Sequence, residues 1–191
     1  MSSLTHHKVL RTPLHPPFPS HLKQIMFGMG CYWGAEKAFW QLNGVYTTHV
    51  GFSGGRVPNP TYEQVCNGRT GHNEVVRVVY DPAIISIWRL LKVFWEGHDP
   101  TQGNRQGNDV GDNYRSAIYT YSEEDLRIAE RSKAVYQEQL KARRFEKITT
   151  EINMAEEFYY GPDDHQQYLH DIPWGYCGHG HTGVHFEFEG I

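Results

Sequence analysis

The chain has 191 residues, with 18 Lys and Arg against 22 Asp and Glu, and its formal charge of −4 argues against a nucleic-acid or anionic-membrane partner. No apolar run approaches the ~20 residues of a membrane-spanning helix. The length suits one domain with a full core, and 19 glycines with 14% aromatics point to loops and a ring-lined surface.

Residues 1–24 hold four prolines and four histidines without hydrophobic periodicity and read as an irregular N-terminal extension. No acidic residue precedes Glu36, one mark of a mitochondrial transit peptide, but a single arginine and the clustered prolines spoil the amphipathic helix such a peptide needs. With no signal-peptide apolar block either, the expected setting is soluble and cytoplasmic, and mitochondrial import is not favoured. Ile25-Met26-Phe27 reads as a short buried strand and residues 35–42 as a helix. Cys31 lies between them and is predicted in the first helical turn, where free N–H groups and the helix dipole favour the nucleophilic thiolate. A cysteine beside an apolar strand serves equally as a small buried hydrophobe. The surrounding glycines do not complete a dinucleotide fingerprint, because Trp33 stands where the third glycine belongs and no Asp or Glu lies near residue 48.

Gly44 ends the helical pattern, and residues 45–52 form a strand leading into a Ser53-Gly54-Gly55 turn. A proline-rich loop carries Tyr62 and then Cys66. Glu74 opens the β-branched run of residues 75–80, which marks a central strand. Ile87, Leu90, Leu91 and Phe94 repeat at helical spacing and define an amphipathic helix ending near His98. The glycine-containing loop of residues 99–113 has the length of a functional loop. A strand follows over 114–120, then a helix from a Ser122 cap to Lys141, a strand over 148–153, a short helix over 164–170 and a glycine-rich coil from 173 to 191. This order predicts an α+β fold of two layers, helices packed on a sheet.

An odd set of three cysteines, Cys31, Cys66 and Cys177, fits redox or catalytic use better than a secreted disulfide framework. Cys177, His179, His181 and His185 raise a tail metal module, but their spacing matches no CxxC or HExxH pattern and no metal is expected.

Gly30-Cys31-Tyr32-Trp33-Gly34 closely resembles the Gly-Cys-Phe-Trp-Gly signature of the peptide methionine sulfoxide reductase A family. The likeness runs over residues 27–184, through Gly51-Phe52-Ser53-Gly54-Gly55, Asn59-Pro60-Thr61-Tyr62, Thr70-Gly71-His72-Asn73-Glu74, His98-Asp99-Pro100, Gln106-Gly107-Asn108-Asp109, Tyr114-Arg115-Ser116-Ala117-Ile118-Tyr119, Asp164-His165-Gln166-Gln167-Tyr168-Leu169 and Gly175-Tyr176-Cys177-Gly178. The resemblance implies a reductase domain over 25–191 with a mixed sheet in a ferredoxin-like plait and a C-terminal coil wrapped across it. It also implies an enzyme without metal or flavin that reduces methionine S-sulfoxide, free or in proteins, with thioredoxin as reductant; the chain is expected to be a monomer. Cys31, Glu74, Tyr62, Tyr114, Tyr32, Trp33 and Asp109 match the residues that form the family's site.

Sulfoxide reduction by a thiol needs a nucleophile at sulfur and a proton for the oxygen, since an oxide anion leaves poorly. Cys31 is the nucleophile candidate. Glu74, at the mouth of an apolar strand, is the acid candidate because desolvation would raise its pKa; at an exposed strand end it would be an ordinary carboxylate. The hydroxyls of Tyr62 and Tyr114 suit hydrogen bonds to the developing oxyanion, although either ring taken alone reads more readily as a core ring with its hydroxyl at the surface. Tyr32 and Trp33 suit an apolar cage for the substrate methyl, or simple packing. By the resemblance, Cys177 is the resolving cysteine that forms a disulfide with the Cys31 sulfenic acid, while Cys66 is a non-catalytic thiol. Three positions depart from the family: Tyr32 replaces its usual Phe, Val110 a frequent His, and His185 a second recycling Cys of some members. A thiol peroxidase using Cys31 and Cys177, and the tail metal module, remain the competing readings.

Overall fold

The computed structural model describes residues 3–189. The first two residues of the expected extension and the last two of the expected coil lie outside the described residues. In chain order the elements are β1 (Lys23–Met29), α1 (Tyr32–Trp40), β2 (Val45–Ser53), α2 (Tyr62–Cys66), β3 (Asn73–Tyr80) and α3 (Ile87–Glu96). They continue as β4 (Arg105–Gln106), β5 (Asp109–Val110), β6 (Ser116–Thr120), α4 (Glu123–Ala142), β7 (Glu151–Met154), β8 (Tyr159–Tyr160) and α5 (Tyr168–Asp171). Six strands form one sheet in the order β7-β6-β1-β3-β2-β8, and β4 pairs with β5 in a separate hairpin. The antiparallel core β6-β1-β3-β2 is the expected plait, widened by β7, parallel to β6, and by β8, antiparallel to β2.

The period-2 geometry of strands sends alternate residues of β1 to opposite faces. Ile25, Phe27 and Met29 join the large core beneath the helices, whereas Met26 joins a smaller cluster on the other face with Val75, Ala117 and Phe158. Phe27 anchors two helices at once, stacking on Phe39 of α1 at 4.8 Å and on Phe94 of α3 at 5.2 Å. The Phe27 ring thus packs α1, which carries the site, and α3 onto the same strand.

Several sequence expectations shift. Tyr62 opens α2 instead of lying in a loop, because Thr61 and Gln64 form a reciprocal cap, and Cys66 closes that helix. Tyr114 ends a 3-10 turn over Asp112–Tyr114, and the strand expected from it begins at Ser116. The expected helix over 164–170 is broken: a 3-10 turn precedes Gln167, whose φ of 51° is left-handed, and α5 follows. Gln167 holds that conformation by giving its backbone N–H (2.8 Å) and its side-chain amide (2.6 Å) to the buried Glu36 carboxyl of α1. β8 escapes a periodicity reading because two residues carry no period.

Both irregular ends are docked on this frame. Residues 3–22 contain one isolated bridge, His6 with Pro13, yet His7 is fully buried. Its ring states are legible from its partners. Thr48 Oγ1 donates to Glu36 Oε1 (2.9 Å) and so accepts from His7 Nε2–H (2.8 Å), while His7 Nδ1 accepts from the Val9 and Leu10 amides. Burial, with His170 and Lys8 nearby, accordingly pushes the His7 pKa down to about 3. In the tail, Phe186 is buried and Phe188 stacks on Trp88 of α3 at 4.9 Å, so the segment that carries Cys177 is tied down beyond it.

His7→Ala would empty a buried ring site, leave the Val9 and Leu10 amides without their acceptor and take from Thr48 Oγ1 the donor it accepts from. The expected loss of stability is about 2–3 kcal/mol, read as a lower urea midpoint; an unchanged midpoint would show that the N-terminal arm contributes nothing to the fold.

Candidate active site

The site is built on the N-terminus of α1. Gly30, at φ +85°, turns the chain out of β1, and Cys31 occupies the N-cap at φ −53° and ψ 121°, one position before the first turn in which sequence placed it. The first two helical N–H groups are divided between the reacting groups: Tyr32 N–H donates to Glu74 Oε2 (3.4 Å) and Trp33 N–H faces the Cys31 sulfur. Those donors do not make Cys31 a resting thiolate. The side chain is 7% exposed, and burial first, then Glu74, pushes its pKa up by more than the Trp33 amide lowers it. Desolvation outweighs the helix terminus here, which corrects the expectation of an activated thiolate.

Glu74, on β3 opposite Phe52, is 2% exposed. Burial raises its pKa to about 8 against the lowering effect of the Tyr32 amide, and Asp109 adds to the rise. At neutral pH the carboxyl therefore carries a proton. The phenols of Tyr62 and Tyr114 face it from α2 and the 3-10 turn, both half-buried, and burial holds both well above the usual phenol range. Cys66 lies next to Tyr62 one turn along α2, and its thiol is raised by burial first.

Rings close the other side. Trp33 stacks on Tyr168 at 3.9 Å and 17°. His165 stands edge-on to Trp33 at 5.3 Å and to Tyr62 at 4.7 Å, and its Nδ1 lies 2.7 Å from the Tyr32 hydroxyl. The hydroxyl that sets Tyr32 apart from the family's phenylalanine is thus taken up by His165. Asp109, on β5, faces the Tyr176 hydroxyl; among the described residues its Oδ2 is buried without a partner, as is Trp33 Nε1. Buried polar atoms are rarely left unpaired, and both belong to residues beside Cys31: Trp33 offers it a backbone amide, and the Asp109 charge bears on its thiol.

Cys177 reaches the site from the tail. Its sulfur lies 2.3 Å from the point where residue 34 would carry a Cβ, so only glycine at that position admits it. Gly34 is three residues past Cys31, and all three cysteines are free thiols.

The sequence profile of the peptide methionine sulfoxide reductase family matches residues 23–188. The chain belongs to the peptide methionine sulfoxide reductase family. It is 62% identical to the peptide methionine sulfoxide reductase MsrA of Rhodospirillum centenum, over 93% of this chain and 81% of that protein. Among solved structures it resembles methionine sulfoxide reductase A of Corynebacterium diphtheriae at 48% identity and a TM-score of 0.84, covering 93% and 86% of the two chains. The reduced form of Mxr1 from Saccharomyces cerevisiae follows at 31% identity and a TM-score of 0.79, covering 90% and 98%.

In this reductase the structure brings Cys31, Glu74, Tyr62, Tyr114, Tyr32, Trp33, Asp109 and Cys177 to one end of the sheet. His165 and Tyr168 are the site rings that reasoning from single residues missed, although the Asp164-His165-Gln166-Gln167-Tyr168-Leu169 motif contains them. Val110, where the family frequently has histidine, is 71% exposed. His185 lies 3.6 Å from Glu96, away from Cys177. Among the described residues no group of three or more His, Cys, Asp and Glu side chains converges as a metal site would require. No described helix is long and apolar enough to cross a membrane.

Gly34→Ala should test the tail's approach, because a methyl there displaces the Cys177 sulfur while leaving Cys31 and Glu74 in place. Intramolecular disulfide formation after oxidation of Cys31 is expected to slow at least ~10-fold, given the sensitivity of reacting geometry to displacements of an ångström. A quenched time course of free thiols reads this, and a rate equal to that of the unmodified chain would separate Cys177 from the site.

Proposed function

We propose that the chain reduces the S epimer of methionine sulfoxide, free or within oxidised proteins, with Cys31 as nucleophile and Glu74 as proton donor. The observation that carries this reading is a buried carboxyl, protonated at neutral pH, sharing one helix N-terminus with a buried thiol. Glu74 gives its proton to the sulfoxide oxygen as the Cys31 sulfur attacks the substrate sulfur, and the thiol proton replaces the one given up. Oxygen ends on Cys31, methionine leaves, and one thiol plus one sulfoxide become one sulfenic acid plus one sulfide. Protonation of the oxygen makes the substrate sulfur electrophilic, so attack from a neutral, buried thiol is coupled to the transfer.

Tyr62 and Tyr114 donate hydrogen bonds to the same oxygen; their neutral phenols facing Glu74 support that role. Tyr32 and Trp33 receive the methyl group, and the unpaired Asp109 Oδ2 accepts from a substrate nitrogen. Cys177 then attacks the sulfenic acid, forming a Cys31–Cys177 disulfide and releasing water. Thioredoxin, a dithiol protein, returns both thiols. The exposure of Cys177 and the solved complex of Saccharomyces cerevisiae Mxr1 with Trx2 support that partner. We read residues 25–191 as the catalytic domain, acting as a monomer in the reducing cytoplasm, a setting that three free thiols suit.

Cys31→Ser is expected to abolish methionine production from the S epimer, whereas Cys177→Ser should yield one methionine per chain and then stop with thioredoxin as reductant. Glu74→Gln should slow the first step by ~10² to 10⁴-fold. It should also remove a fall in rate that the unmodified chain shows as pH rises through about 8 and the Glu74 proton is lost. Single-turnover assays on the separated epimers read all three, and S-epimer reduction by Cys31→Ser would overturn the reading.

A further inference from the structure

The two glycines that flank Cys31 make room for more than the resolving sulfur. The ring of His179 lies across both: Cδ2 is 3.7 Å from the Cβ position of residue 30, and Cε1 and Nδ1 are 3.1 and 3.4 Å from that of residue 34. Cys177 Sγ is 2.3 Å from this second point, so the imidazole Nδ1 and the thiol share one small space above the start of α1. His179 Nε2 lies 2.8 Å from the Cys31 carbonyl oxygen. A carbonyl only accepts, so Nε2 carries the hydrogen and Nδ1 of the neutral ring is left with its lone pair. Among the described residues Nδ1 makes no hydrogen bond of ordinary geometry, the Cys177 thiol included, and the Gly97 carbonyl also borders the ring. One backbone contact thus holds the ring beside Cys177 and selects the tautomer in which Nδ1 is the basic nitrogen.

We propose that His179 is the general base of the disulfide-forming step, taking the proton of Cys177 as that sulfur attacks the Cys31 sulfenic acid. The inference rests on the roles assigned above to Cys31 and Cys177. Attack on a sulfenic acid requires a thiolate, and a thiol sheds its proton to become one. In the step the Cys177 S–H bond breaks to Nδ1, the S–S bond forms, and the S–O bond of Cys31 breaks. The imidazolium returns its proton to the departing hydroxide, so water leaves and the ring is neutral again. Glu74 serves the sulfoxide oxygen and His179 serves the second thiol, so each sulfur chemistry has its own proton carrier on one side of α1.

The surroundings keep the ring unprotonated and able to act as a base. Burial first lowers its pKa, while the Cys31 carbonyl raises it, His181 lowers it, and Asp109 and the Gly97 carbonyl raise it. The titratable groups facing it are Cys31 from α1, Asp109 from β5, His98 after α3, and Cys177 and His181 from the tail. His98 is itself neutral, its ring held between the Phe94 carbonyl and the Ser116 hydroxyl.

The test uses His179→Gln in the full chain, since a glutamine amide keeps an N–H for the Cys31 carbonyl and has no base. After one equivalent of the S epimer without reductant, methionine and the Cys31–Cys177 bond are followed separately by rapid quench and mass spectrometry. Disulfide formation is expected to fall by ~10²-fold or more, to be restored in part by added imidazole, and to rise with pH where the unmodified chain is flat above its own acid limb. Wild-type disulfide kinetics in the variant would overturn the proposal. So would a slowing that is equal at every pH and indifferent to imidazole, which marks a purely structural histidine. Failure of the unmodified chain to form the Cys31–Cys177 bond would instead overturn the reading beneath it.

Discussion

Everything at this site depends on how two buried acids share the N-terminus of α1. The Cys31 thiol and the Glu74 carboxyl both sit at the helix start, both are nearly inaccessible, and an ionised Glu74 would raise the Cys31 pKa further. Two neighbouring anions in so buried a place are unfavourable, and neither amide of the first turn offsets the loss of water. The resting state is therefore a neutral pair. A neutral pair suits sulfoxide chemistry better than a preformed thiolate would, since the substrate oxygen must be protonated before it can leave.

The rest of the fold holds that helix start in place. Phe27 fixes α1 against the sheet, and Glu36, one turn beyond Trp33, gathers the N-terminal arm through Thr48 and His7 and the Gln167 turn through two hydrogen bonds. Gln167 leads directly into Tyr168, on which Trp33 stacks. Glu36 is fully buried and pushed up to about 7 by that burial in spite of its three donors. One carboxyl thereby couples an irregular arm, the active-site helix and the aromatic wall of the pocket, the kind of buried polar cluster that rigidifies only when every partner is present.

Legibility in the sequence follows the length of the signal. β3 is plain from five β-branched or aromatic residues in six, and α3 and α4 from their apolar spacing, whereas β8 is too short and the arm around His7 too irregular to show a period. A raised pKa at Glu74 is legible because an acid opening a buried strand has little water. The thiolate expected at Cys31 is not what the fold builds: helix position is visible in sequence, but the depth of burial that opposes it is set by packing from β3 and the tail. Likewise the Tyr32 hydroxyl reads as an intrusion into an apolar cage until His165, 133 residues away, supplies its partner.

The neutrality of Glu74 can be measured directly. With carboxyl-¹³C glutamate incorporated, the Glu74 resonance, assigned by its loss in Glu74→Gln, should titrate near pH 8 in the reduced, substrate-free protein, leaving the carboxyl protonated at pH 7. Titration in the ordinary carboxylate range, about 4.3, would mean that the group is ionised when substrate arrives and would contradict its role as the proton source.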